Sequence, residues 1–244
     1  KTIATPHVNE FEQRVIGQTV QGITRRAKYI VIELDSDLLL VHLRMTGRLY
    51  VADEHEDHRV DKWVHVKFGL DRGKELRFSD SRKFGKIYLT DDLETVTGGI
   101  GPEPLDDDFT VDVLKERMQG RKKMIKPLLL DQTFIAGVGN IYADEALHRA
   151  KIHPKRTVDT LSDDEIVLLH ETVRNALFAG IQHEGASINW YRKPDGTQGE
   201  SQNHFYVYGQ DGELCQSCEE AVIEKIKVGQ RGTHFCPNCQ PLSK

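Results

Sequence analysis

Four cysteines stand in the last thirty residues, as Cys215-x2-Cys218 and Cys236-x2-Cys239 with 17 residues between the pairs. Each tight pair can present two thiolates to one ion, so the two pairs match a tetrahedral zinc site. The alternative is two disulfides or buried free thiols. All four ligand positions would be protein sulfur, which leaves no place for a reactive water, so the zinc is structural. Residues 222–228 and 233–235 are predicted to form the strands of a hairpin between the pairs. Gly229-Gln230-Arg231-Gly232 would be its turn, with Arg231 at the tip, either solvated or touching phosphate.

Two more segments have residue types suited to nucleic acid. Gly137-Val138-Gly139-Asn140 precedes a helical pattern, and a glycine turn into a helix start exposes N–H groups to an anion. Asn140 is predicted to cap that helix. Arg121-Lys122-Lys123 and Lys126 lie upstream on a preceding helix, so the unit reads as helix, turn, helix with a basic first helix. On its own it is simply a capped helix. Ser79-Asp80-Ser81-Arg82-Lys83-Phe84-Gly85 sits between two strand patterns. Its Phe84 either packs inward at a hairpin corner or acts as a wedge between base steps, with Arg82 filling hydrogen bonds left by a displaced base.

The elements that must position these groups follow from periodicity. Val8, Phe11 and Val15 mark a helix closed by Gly17. Strand patterns follow at 20–23, 29–34, 38–43, 48–52, 63–68, 75–78 and 86–89, which predicts a β-sandwich or barrel. Residues 91–116 are strongly acidic and contain Gly98-Gly99 and Gly101-Pro102, a linker signature. Helices are predicted near 110–118, 122–131, 140–150 and 162–180, the last opened by a Ser162/Glu165 capping box. The fold class is therefore α+β. The expected domains are a β-sandwich at 1–90, an acidic linker at 91–109, a helix–two-turns–helix domain at 110–204 and a zinc hairpin at 205–244.

Composition narrows the partners. Lys plus Arg is 33 against 38 Asp plus Glu, a net charge of −5, so a uniformly basic polyanion binder is excluded and a locally basic one is not. No apolar run reaches the ~20 residues a membrane span needs, and no signal segment is evident. The expectation is an intracellular, cytoplasmic protein and a monomer.

Seven motifs in order carry a resemblance. They are Arg25-Arg26-Ala27-Lys28-Tyr29, His42-Leu43-Arg44-Met45-Thr46-Gly47, Asp80-Ser81-Arg82-Lys83-Phe84-Gly85, Gly101-Pro102-Glu103-Pro104, residues 137–145, Tyr206-Val207-Tyr208-Gly209 and Arg231-Gly232-Thr233-His234-Phe235-Cys236-Pro237. From Phe11 to Gln240 the sequence resembles the bacterial formamidopyrimidine-DNA glycosylase family. The related endonuclease VIII family, which acts on oxidised pyrimidines, shares the zinc finger and the helix–two-turns–helix. The Arg82–Phe84 turn and the Met45 motif look more like the first family.

The resemblance implies removal of oxidised purines, 8-oxoguanine and formamidopyrimidines, from damaged double-stranded DNA, followed by strand cleavage. It implies a bacterial, nucleoid-associated DNA-repair protein. It assigns Met45, Arg82 and Phe84 to the gap left by a flipped nucleotide, and Lys28 and Arg231 to the β- and δ-elimination steps. It gives His65, Arg121, Lys122 and Asn140 phosphate contacts. The loop at 185–203 would close over the flipped base, where Asn189 stands in place of a frequent Arg. The family's nucleophile is the amine of an N-terminal Pro followed by Glu. This sequence begins Lys1-Thr2-Ile3, so the expectation is that it lacks that start and binds damaged DNA without excising a base. Lys1 and Pro6 do not fill the role. A zinc-ribbon protein of transcription or RNA metabolism would explain the cysteines alone.

Overall fold

The computed structural model describes residues 2–55, 61–188, 191–193 and 196–242. Asn189 and Lys1 lie outside the described residues. The chain divides into two compact units, one of residues 1–99 with 186–199 and the other of 100–185 with 200–244.

The first unit is built from two sheets. β1 (Ile3–Thr5), β2 (Gly22–Arg26), β3 (Tyr29–Glu33), β4 (Leu38–His42) and β8 (Lys86–Thr90) form a five-stranded sheet in the order β1-β8-β4-β3-β2. β5 (Gly47–Asp53), β6 (Val64–Gly69) and β7 (Lys74–Asp80) form a three-stranded sheet in the order β5-β7-β6. Ile32, Leu39, Val41, Ile87 and Leu89 of the first sheet share one apolar core with Phe78 of the second and Phe11 of helix α1 (Val8–Val15). This is the expected sandwich. β1 is the addition: it is three residues long and pairs in parallel with β8, so neither a local turn nor an alternating pattern announces it.

The second unit packs α3 (Val111–Met118), α4 (Ile125–Leu129), α5 (Asn140–Arg149) and α6 (Asp163–Gln182) around Leu114, Ile125, Leu128, Phe134, Leu147 and Leu169. Helix α6 opens with the predicted capping box, Ser162 and Glu165 bonding each other's backbone N–H. β9 (Glu224–Val228) and β10 (Arg231–Phe235) form the C-terminal hairpin.

Three expectations are corrected. The stretch 91–109 is not simply a solvated linker: Glu94–Thr97 is a short helix, α2, with Thr97 buried, and Phe109 lies in the helical core. Residues 186–199 group with the sandwich rather than with the helices. Helix α4 starts at Ile125 rather than near 122. The backbone at 123–125 is claimed by the 156–158 segment, Ile125 N–H donating to Arg156 O and Val158 N–H to Lys123 O.

Candidate nucleic-acid interface and metal centre

In the first unit, Lys28 occupies the two-residue turn that joins β2 to β3 and is exposed. Ala27 beside it is buried at φ 51°, in the left-handed region that costs an L-residue roughly 1–2 kcal/mol. Met45 and Phe84 sit on two further turns, 64% and 54% exposed. The inward-packing alternative for Phe84 is thereby excluded. Arg82 is exposed beside them, its Nη1 3.7 Å from the Met45 Sδ. His65 is half-buried on β6, and its Nε2 donates to the Asp80 carbonyl at 2.9 Å.

Both turns are fixed by side chains that sequence reasoning left unassigned. Arg44, at φ 55°, donates its N–H to His42 Nδ1 at 3.0 Å. Burial, with Arg44 and Lys28 nearby, lowers the His42 pKa from 6.5 to about 4. His42 is therefore neutral at pH 7 and keeps the lone pair that accepts this bond. Because the folded pKa is depressed, the unfolded chain takes up the proton first as pH falls. Stability should drop between about 6.5 and about 4. Denaturation series across that window should show the slope in the native protein and a weaker one in His42→Gln. Gly85 closes the second turn where a Cβ would collide with the Phe78 ring.

In the second unit, the glycine turn, α4 and the hairpin are tied at one carbonyl. Gly232 O accepts from Asn140 Nδ2 at 2.9 Å and from Lys126 Nζ at 3.0 Å. Asn140 is therefore not the cap predicted for α5. Gly139 precedes the helix, and the Asn140 amide reaches the hairpin instead. Lys126, predicted as part of the basic cluster, is fully buried and paired with Asp144 Oδ1 at 2.6 Å. Burial lowers its pKa, and Asp144 pulls it back up. Arg121 and Lys122 lie before α4 and not on it. Lys122 is exposed, while the Arg121 Nε donates to Arg117 O and its guanidinium lies over the Phe134 ring. Glu145, also missed, accepts the N–H groups of Tyr206, Val207 and Tyr208, each at 3.0 Å. It thereby joins two of the sequence motifs.

The hairpin turn is shorter than predicted. Val228 pairs with Arg231, leaving Gly229 and Gln230 as a two-residue turn with φ 53° and 66°. Both positive values fit the turn type that suits the twist of two-residue hairpins. Arg231 thus starts β10 rather than standing at the tip, and it remains exposed.

The four cysteine sulfurs lie within 4.8 Å of one another, with Cys215–Cys239 at 3.9 Å and Cys218–Cys236 at 3.7 Å. A zinc tetrahedron with bonds of about 2.3 Å has sulfur–sulfur edges of about 3.8 Å. Neither pair is a disulfide, whose sulfurs stand about 2 Å apart. The residues fit one structural zinc ion.

Three family models cover most of the chain: the formamidopyrimidine-DNA glycosylase N-terminal domain at residues 1–87, that family's H2TH domain at 100–192, and the zinc finger found in FPG and IleRS at 212–242. The formamidopyrimidine-DNA glycosylase of Herpetosiphon aurantiacus is 45% identical over 243 residues, covering 98% of this chain and 88% of the relative. The chain belongs to the formamidopyrimidine-DNA glycosylase family. The Lactiplantibacillus plantarum glycosylase is 44% identical over 240 residues, covering 96% of this chain and 86% of the relative. Two solved structures of the Lactococcus lactis glycosylase are similar at 39% identity. One is a complex with abasic-site DNA, at a TM-score of 0.88, and the other holds DNA containing Fapy-dG, at 0.87. Each alignment covers 96% of this chain and 86% of the other. The glycosylase family acts in repair of damaged DNA, and its zinc finger is the cysteine cluster described here. Among the described residues, no helix is long and apolar enough to cross a membrane.

Proposed function

We propose that this protein is a bifunctional glycosylase and abasic-site lyase that removes oxidised purines from duplex DNA. The observation that carries the reading is the exposed trio Met45, Arg82 and Phe84. Two large apolar groups and a guanidinium lie together on adjoining turns, where a folded protein gains nothing from exposing them. A ring and a thioether can fill the space of an extruded nucleotide, and the guanidinium can satisfy the orphaned opposite base. Lys28 and Arg231 would hold phosphates beside the abasic sugar and assist β- and then δ-elimination. Asn140, His65, Arg121 and Lys122 would grip the flanking backbone.

Binding should be salt-sensitive in spite of the net charge of −5. With Lys28, Arg121, Lys122 and Arg231 on phosphates, log Kd should change with log salt by a slope of about 3 to 4, at roughly 0.9 per neutralised phosphate. A flat response between low and physiological salt would contradict this placement.

Base excision needs an amine that attacks C1′ and a carboxyl group that moves protons. In the family these come from an N-terminal Pro followed by Glu, so excision is assayed on the chain carrying an N-terminal segment that begins Pro-Glu. The expected result is release of 8-oxoguanine and a borohydride-trapped adduct on abasic DNA. Preferential release of oxidised pyrimidines, or tight binding with no excision once the Pro-Glu start is present, would overturn the reading.

A further inference from the structure

One buried carboxylate holds both turns that carry the exposed trio. Asp80 ends β7 with its side chain fully buried. Its Oδ1 accepts from the Thr46 hydroxyl, next to Met45, and from the Arg82 N–H at 3.2 Å. Its Oδ2 accepts from the Gly85 N–H at 2.7 Å. Burial alone would raise the Asp80 pKa, but these donors more than offset it and hold the group ionised. The Asp80 carbonyl accepts in turn from His65 Nε2 at 2.9 Å and from the Lys83 N–H at 3.3 Å.

The bonds divide by side. Arg82 and Gly85 belong to the wedge turn that follows Asp80 directly. Thr46 belongs to the Met45 turn, which lies in the loop between β4 and β5. The Thr46 hydroxyl is thus the side-chain bond from the Met45 turn to the carboxylate that shapes the wedge turn. Each turn also contains a residue in the left-handed region, Arg44 at φ 55° and Lys83 at φ 58°, a conformation that persists where surrounding bonds over-determine it.

We propose that Thr46 and Asp80 form a strut that makes the Met45 turn and the Arg82–Phe84 turn one rigid element, so that Met45 and Phe84 enter a damaged duplex together. Thr46 and Asp80 are positioning residues: they touch the turns and not the DNA. The proposal rests on the reading that Met45 and Phe84 fill the gap of an extruded nucleotide. If the two side chains act as a unit, losing either one forfeits much of what both contribute. Their effects on affinity for abasic duplex then fail to multiply. Breaking the strut should make them independent.

The test is a double-mutant cycle of Met45→Ala and Phe84→Ala. Dissociation constants are measured on an abasic duplex and on the same duplex undamaged, in the native background, in Thr46→Val and in Thr46→Ser. In the native background the double variant should bind abasic duplex at least about fivefold more tightly than the product of the two single losses predicts. In Thr46→Val the losses should multiply, and the preference for abasic over undamaged duplex should fall. Thr46→Ser, which keeps the hydroxyl, should restore the coupling. A Thr46→Val thermal midpoint close to native shows that the sandwich still folds. Multiplying losses in the native background would overturn the strut, as would coupling that survives Thr46→Val. If neither single variant changes the abasic preference, the gap-filling reading fails first, and the single variants alone show it.

Discussion

Cys236→Ser should unfold the C-terminal hairpin and abolish DNA binding while the β-sandwich stays folded. The apolar cluster under the hairpin is small, with Val207, Cys215, Ile223 and Cys236 as its buried members. Such a cluster cannot offset the ordering of the surrounding chain. A bound zinc ion contributes on the order of 10 kcal/mol to a site of this kind. The thiols are unequal without it. Asn238 and the Glu220 and Ala221 N–H groups lower the Cys218 pKa to about 6, whereas burial raises Cys236 and Cys239. A cation at the centre is what allows all four to ionise together. Elemental analysis should find one zinc per chain in the native protein. Dialysis against a strong chelator should reproduce the Cys236→Ser phenotype, and readdition of zinc should reverse it. Metal-free protein that binds DNA with native affinity would contradict the assignment.

Lys126→Ala is expected to have the next largest effect. The Lys126 ammonium is ion-paired with Asp144 Oδ1 at 2.6 Å and donates to Thr233 Oγ1 at 2.7 Å and to Gly232 O at 3.0 Å. Both members of the ion pair are fully buried. Removing the cation leaves the buried Asp144 carboxylate without its lysine partner, which costs about 3–5 kcal/mol. Asp144 Oδ2 also accepts the His234 N–H at 3.0 Å, so its loss of a partner bears on β10 directly. Denaturant unfolding should show that loss in Lys126→Ala. The double variant Lys126→Met with Asp144→Leu should recover much of it, because no lone charge remains buried. Arg231 begins the same strand, so DNA affinity should fall in Lys126→Ala even where the protein is still folded. Native stability in Lys126→Ala would show that the pair is not the tether described.

These two expectations also mark where the sequence was readable. The zinc centre was legible because two Cys-x2-Cys turns at a fixed spacing encode geometry directly. The strands of the sandwich were legible because short runs rich in Val, Ile, Leu and Tyr are separated by Asp, Gly and Ser. β1 was not, since a three-residue parallel strand takes its pairing from β8, more than eighty residues away in the chain. Phe109 was hidden among Asp106, Asp107 and Asp108, where a single apolar side chain makes no period. Lys126 looked like one more base beside Arg121, Lys122 and Lys123. Its signal was its neighbours: Ile125, Leu128 and Leu129 surround it, and a charge inside an apolar run needs a buried partner. That partner, Asp144, stands eighteen residues on, and nothing in the spacing points to it. Asp80 and Glu145 share a different difficulty. Each collects backbone N–H groups, and every residue except proline supplies one, so their partners leave no mark on the sequence.

The central claim is that the Met45, Arg82 and Phe84 turns recognise a place in the duplex where a base has left the stack. Its most direct test compares Phe84→Ala with the native chain in binding one duplex with and without a central abasic site, at fixed salt. Stacking an aromatic ring on a base is worth about 1–3 kcal/mol, so affinity for the abasic duplex should fall roughly 5- to 150-fold. Affinity for the undamaged duplex should change far less, because its stack offers the ring no gap. Equal losses on the two duplexes would contradict the account and make Phe84 a general support of the sandwich surface.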